Sequence, residues 1–136
     1  MTRFLAVAHQ TSEAEEFVAA VRDAAARDPD AEFLLLVPAT PVRHLGTWTE
    51  GESEAVAANK ARAARDRLER AGVKVAEARV GGPDPYDAIL TALSTEQFDA
   101  IIVSTFPPGM SRWLGTDLIN RLRHSIDVPL IHVIAH

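Results

Sequence analysis

The feature that most constrains the fold is a repeated alternation between short apolar runs and segments of helical periodicity. Phe4-Leu5-Ala6-Val7-Ala8, Phe33-Leu34-Leu35-Leu36-Val37, Phe98 to Val103 and Pro129 to Ile134 are too short for helices and too continuously apolar for strands with one wet face. They read as strands covered on both sides. Val73 to Val80 alternates instead, which predicts a strand with one more exposed face, nearer the sheet edge. Four helical segments separate these runs. Ser12, with Glu15 three residues on, reads as a capping box starting the first, with Phe17, Val18, Val21 and Ala25 on one face and Asp28-Pro29-Asp30 as the stop. The second runs from Ser53 to Ala71, with Ala57, Ala61, Ala64, Leu68 and Ala71 at helical spacing and Gly72 as the terminating glycine. Asp84 as N-cap and Pro85 at the first helical position begin the third, whose buried face is Ile89, Leu90 and Leu93. The fourth extends from Gly115 to His124, with Leu118, Ile119, Leu122 and Ile126 facing inward.

The order βαβαβαβαβ predicts an α/β fold: a doubly wound parallel sheet with helices on both faces. A chain of 136 residues without linker, repeat or low-complexity tract is expected to form one domain over residues 1–136. Val42 to Gly51 lacks periodicity, holds Gly46, Trp48 and Gly51, and reads as a loop. Zero cysteines exclude disulfides, zinc-thiolate sites and thiol catalysis. A net charge of −5 argues against a non-specific nucleic-acid binder. Arg62, Arg65, Arg67 and Arg70 interleave with Asp66 and Glu69, the pattern of a solvated helix face. No apolar run approaches the ~20 residues of a membrane helix. Met1 to Leu5 runs straight into a strand without a signal-peptide pattern, so a cytoplasmic location is expected.

The candidate site lies where strands give way to helices. The segment Val103 to Thr116 joins the fourth strand to the fourth helix, and free N–H groups and the helix dipole converge at such a junction. Ser104, Thr105, Gly109, Met110, Ser111, Gly115 and Thr116 offer hydroxyls and amides there, and Arg112 adds an anion contact. Pro107 and Pro108 each remove a donor. Ser111 reads equally well as a helix cap and Arg112 as a surface residue, while Trp113 reads as core or interface rather than a base-stacking group. His9 follows the first strand, at the end where open α/β sheets bind ligands. If the first and fourth strands are neighbours, His9 comes within reach of Ser104 and Thr105. His132 and His136 share a side of the last strand, but no third ligand of suitable spacing is nearby, so no metal site is expected. No Gly-x-Ser-x-Gly, Gly-x4-Gly-Lys-Ser/Thr or His-Glu-x-x-His pattern occurs, which favours a binding role over turnover.

Taken in order, these segments resemble the universal stress protein family, a branch of the adenine-nucleotide α-hydrolase-like folds. The resemblance rests on Arg3–Ala8 with the His9–Ser12 loop, Leu68-Glu69-Arg70-Ala71-Gly72-Val73-Lys74-Val75, Gly81-Gly82-Pro83-Asp84-Pro85-Tyr86-Asp87-Ala88-Ile89 and Phe98 to Ser104. It continues through Gly115-Thr116, Arg121 to Ser125 and Val128 to Val133. It implies five parallel strands in the order 3-2-1-4-5 and a homodimer formed through the last one, by Leu130, Ile131, His132, Val133 and Ile134. It further implies a nucleotide site built from Ala8, His9 and Thr11, from Val37 and Pro38 at the adenine edge, and from the segment between Ser104 and Thr116. Members that bind ATP carry Gly-x2-Gly-x9-Gly-Ser/Thr after the fourth strand and an Asp after the first. Here Ser104 stands at the first glycine, Pro107 near the second and His9 at the Asp, and only Gly115-Thr116 matches. The implied protein is a ligand-binding regulator with a remodelled or vestigial nucleotide pocket, ATP or AMP being the candidate ligands. A weak ATPase or other nucleotide-processing enzyme, and a protein-docking domain without a small ligand, are the alternatives. Neither nucleic acid nor a membrane is expected as a partner.

Overall fold

The computed structural model describes residues 2–9, 11–39, 50–105 and 115–135, with backbone alone for 50–53 and 115–117. The elements are β1 (Arg3–Val7), α1 (Glu15–Arg27), β2 (Glu32–Pro38), α2 (Glu50–Arg70), β3 (Val75–Gly81), α3 (Pro85–Thr95), β4 (Ala100–Thr105), α4 (Gly115–Ser125) and β5 (Leu130–Ile134). The five strands form one parallel sheet in the order β3-β2-β1-β4-β5, as expected.

Two apolar layers sandwich this sheet, and the period-2 alternation of the strands sorts residues between them. Ala6, Ala8, Phe33, Leu35 and Val37 pack with Phe17, Val18 and Val21 of α1 and with Ala57, Ala61, Ala64 and Leu68 of α2. Leu5, Val7, Leu34, Leu36, Ile101 and Val103 pack with Ala88, Ile89 and Ala92 of α3 and with Leu118, Ile119 and Leu122 of α4. Burying each large side chain is worth about 1.5–3 kcal/mol, so the central strands carry much of the stability. Phe4 and Phe33 add a stacked ring pair across β1 and β2, with centroids 5.0 Å apart.

Local chemistry explains most of the element ends. The Gly72 amide bonds to the Glu69 carbonyl and the Val73 amide to that of Leu68, closing α2 in a Schellman motif, with Gly72 at φ 90°. Asp84 accepts hydrogen bonds from the amides of Tyr86 and Asp87, capping α3 as its sequence predicts.

Four expectations are corrected. Ser12 does not cap α1: the N-cap is Ala14, without a side-chain cap bond, because two tight turns through His9 to Ala14 delay the helix. Ala24, rather than Ala25, completes the buried face of α1. Glu50 and Gly51, placed in a loop by their lack of periodicity, already belong to α2, while the rest of that loop lies outside the described residues. The buried face of α3 is Ala88, Ile89 and Ala92; Leu90 and Leu93 are only half-buried, as is Ile126 after α4. No helix among the described residues is long and apolar enough to cross a membrane.

Candidate functional site: the polar mouth between β1 and β4

In the strand order, the direction of winding reverses beside β1, whose neighbours are β2 and β4. The crevice outside the C-terminal ends of such strands is where open α/β sheets hold ligands. Val7, the last residue of β1, is in register with Leu36 on one side and Val103 on the other. The Ala8 amide still reaches the Leu36 carbonyl, at 3.3 Å. The chain then folds back on itself: the Ser12 amide bonds to the His9 carbonyl at 3.1 Å and the Ala14 amide to that of Thr11 at 3.0 Å.

That compact turn buries polar groups. His9, Thr11 and Ser12 are 2%, 3% and 1% exposed, and Ser104 and Thr105 at the end of β4 are equally enclosed. Residues of these types are mostly exposed or intermediate unless they are hydrogen-bonded, so their partners matter. The Thr11 and Ser104 hydroxyls bond to each other at 2.7 Å. The Thr105 hydroxyl bonds Nε2 of His132, on β5, at 2.8 Å. Nε2 of His9 is buried with no hydrogen-bond partner among the described residues. Burial first, and then the Lys60 ammonium on α2, lower the His9 pKa from 6.5 to about 4, so the imidazole is neutral near pH 7. Lys60 is half-buried and makes no ion pair among the described residues. His132 is also held below the usual histidine range, first by burial and then by the Arg123 cation.

This arrangement brings together Ala8, His9, Thr11, Ser104 and Thr105. Val37 and Pro38 end β2 on the far side of β1, in register with Val80 and Gly81 of β3. Gly115 and Thr116 open α4. Gly109, Met110, Ser111 and Arg112 lie outside the described residues, as do Pro107, Pro108, Trp113, His44 and His136. Leu130 to Ile134 form β5 at the sheet edge, with Ile131 and Ile134 40% and 38% exposed. The expected reach from His9 to Ser104 or Thr105 is not made. β1 and β4 are neighbours, but each hydroxyl is taken by another partner. The imidazole that does meet a hydroxyl, His132, sits under a cation's influence and is a weakened base, which suits holding a shape better than activating a nucleophile. Among the described residues no group of three or more His, Cys, Asp or Glu side chains is placed to hold a metal ion.

Lys60 is the residue that the sequence reading missed. It looks like one more cation on a charged helix. Its sole signal is its place beside Ala61 in the buried stripe Ala57-Ala61-Ala64.

The fold has counterparts among known proteins. A model of the universal stress protein family matches residues 1–133. A universal stress protein from Archaeoglobus fulgidus superposes with a TM-score of 0.69 at 15% identity, covering 98% of this chain and 93% of its own. An Arabidopsis thaliana universal stress protein family protein with AMP bound gives a TM-score of 0.62 at 16% identity, covering 100% and 93%. A universal stress protein in complex with cAMP gives 0.62 at 20% identity, covering 99% and 97%. No curated protein sequence matches the chain.

Proposed function

The chain belongs to the universal stress protein family, and from that premise we propose that it is a ligand-binding regulatory module whose site is the mouth between β1 and β4. The observation that carries this reading is the buried polar cluster at the reversal of winding, in which His9 Nε2 is left without a partner. A buried, unpaired nitrogen costs about 1–3 kcal/mol, and a bound molecule that bonds to it recovers that loss. The two relatives that hold AMP and cAMP make an adenine nucleotide the first ligand to try. The proposed pocket comprises Ala8, His9, Thr11, Ser104 and Thr105, with Val37 and Pro38 flanking, Gly115 and Thr116 at the start of α4, and Gly109, Met110, Ser111 and Arg112 from the stretch of sequence that joins β4 to α4. Lys60 joins them as the nearby cation. The loss of the family's aspartate and glycines argues for a remodelled pocket rather than the ATP geometry of other members.

We also propose a cytoplasmic, single-domain protein that pairs through β5. That strand ends the sheet, and its exposed Ile131 and Ile134 are apolar surface on an open edge, which a second copy covers well.

A thermal-shift series with AMP, cAMP, ATP and inorganic phosphate tests the ligand reading. A ligand at 100 times its dissociation constant adds about 2.7 kcal/mol to stability and raises the melting temperature accordingly. No shift with any of the four at millimolar concentration would leave a docking domain without a small ligand as the better account.

A further inference from the structure

At the opposite end of the sheet an open groove of about 680 Å³ lies between the C-terminal ends of α3 and α4. Its apolar wall consists of Leu90, Leu93, Phe98, Ile126 and Val128. Three of these, Leu90, Leu93 and Ile126, stand at core spacing in the sequence yet are only half-buried. The layer between the sheet and these two helices therefore stops short, and its unfinished end is the groove. The volume falls inside the range of roughly 300–1,000 Å³ that small-molecule sites occupy.

The groove's charges are unequal. Arg3 faces it with three carboxylates, Glu96, Asp99 and Asp127. Arg3 is already engaged: its guanidinium bonds one oxygen of Glu96 at 3.1 Å and lies over the Phe98 ring, 5.2 Å from the centroid. The other Glu96 oxygen holds Arg79 at 2.9 Å. Asp99 accepts the Arg3 backbone amide through one oxygen, at 2.8 Å, and Asp127 makes no hydrogen bond or ion pair among the described residues. The charge left facing the cavity is thus negative. The backbone adds to it, because α3 and α4 both end here and helix C-termini carry the negative end of the dipole. A nucleotide or other anion is unsuited to this end of the molecule.

We propose that this groove is a second binding site, for a small organic cation with an apolar body: the body against Leu93, Phe98 and Ile126, and the ammonium beside Asp99 and Asp127. No residue of β5 is among those lining it. The site is independent of the mouth between β1 and β4, and of pairing through β5.

Three probes with the same ring and different charge test the assignment: phenethylamine, 2-phenylethanol and phenylacetate, each titrated into the full chain with backbone amide shifts as the readout. The amine is expected to give saturable shifts at Phe98, Asp99, Ile126 and Asp127 and to bind about two- to fivefold more tightly than the alcohol, the range of an exposed charge contact. The acid is expected to bind most weakly. Raising the salt should shrink the amine's advantage and leave the alcohol's affinity unchanged. Asp127→Asn should remove most of that advantage without altering alcohol binding, and Leu93→Asn should weaken all three probes. Absence of saturable shifts in the groove with the amine overturns the proposal. So does acid binding that equals or exceeds amine binding, or an amine preference that Asp127→Asn leaves intact. Nucleotide binding at the other end is unaffected by any of these outcomes.

Discussion

The hydroxyl of Thr11 lies 2.7 Å from that of Ser104, joining the turn after β1 to the end of β4 across 93 residues of sequence. Among the described residues neither hydroxyl has another side-chain partner, and both are buried. The bond ties the turn that carries His9 to the end of β4. Each hydroxyl depends on the other for its satisfaction.

That dependence is measurable. Thr11→Val and Ser104→Ala should each cost about 1–3 kcal/mol, since each strands a buried hydroxyl. The double variant should cost less than the sum, with a coupling of about 0.5–3 kcal/mol in urea unfolding. Strict additivity would mean that the two hydroxyls do not interact in solution.

His9 predicts how stability depends on acid. Its pKa is lowered from 6.5 to about 4 in the folded chain. Above pH 6.5 both states hold a neutral ring. As the pH falls below 6.5 the unfolded chain gains a proton that the folded chain refuses, so stability drops until about pH 4. The loss is about 3 kcal/mol at most. His132, displaced in the same direction, contributes in the same sense. Unfolding of the parent and of His9→Asn, compared at pH 7 and pH 4.5, isolates the His9 share: the variant should lose less. Equal losses would show that His9 is not held neutral by burial.

Gly81 and Gly82 are adjacent in sequence and should respond oppositely to alanine. A Cβ on Gly81 would stand 2.9 Å from the Ala88 Cβ and 3.1 Å from Leu36 Cδ1, and the Ala88 atom cannot move without its helix. A Cβ on Gly82 meets nothing within 4 Å. Gly81→Ala is expected to destabilise by about 1–3 kcal/mol. Gly82→Ala should be neutral or stabilise by up to about 1 kcal/mol. Thermal melts of the two variants check the contrast, and a harmless Gly81→Ala would mean that β3 and α3 sit farther apart than described.

The open edge at β5 makes a prediction about assembly. Light scattering at micromolar concentration should report a dimer for the parent chain. Ile131→Lys together with Ile134→Glu should give a monomer that still folds, because both side chains are partly exposed, at 40% and 38%, on the two faces of β5. A parent that is monomeric at that concentration rejects pairing through β5.

Much of the fold was legible because its signals are local. Strand-length apolar runs, the glycine closing α2 and the aspartate capping α3 all depend on residues within a few positions of one another, whereas the alternation read in β3 is interrupted by a register shift against β2 that no local pattern announces. The Ser12 capping box shows where that locality fails. Its pattern is correct, but the turn that buries His9, Thr11 and Ser12 delays the helix to Glu15, and burial is not written in a four-residue motif. The same limit explains Leu90, Leu93 and Ile126, whose spacing says core although no neighbouring layer reaches far enough to cover them.

The sequence by itself determined the order of elements and the parallel α/β class. Hydrophobic periodicity and caps are short-range, and strand-to-helix junctions follow from that order alone. Only the tertiary structure decided that Thr11 meets Ser104, that His132 rather than His9 meets Thr105, and that Lys60 stands near a His9 ring whose Nε2 has no partner among the described residues. These relationships arise from desolvation and packing between segments far apart in the chain. The charge and partner of a buried side chain are properties of everything folded around it.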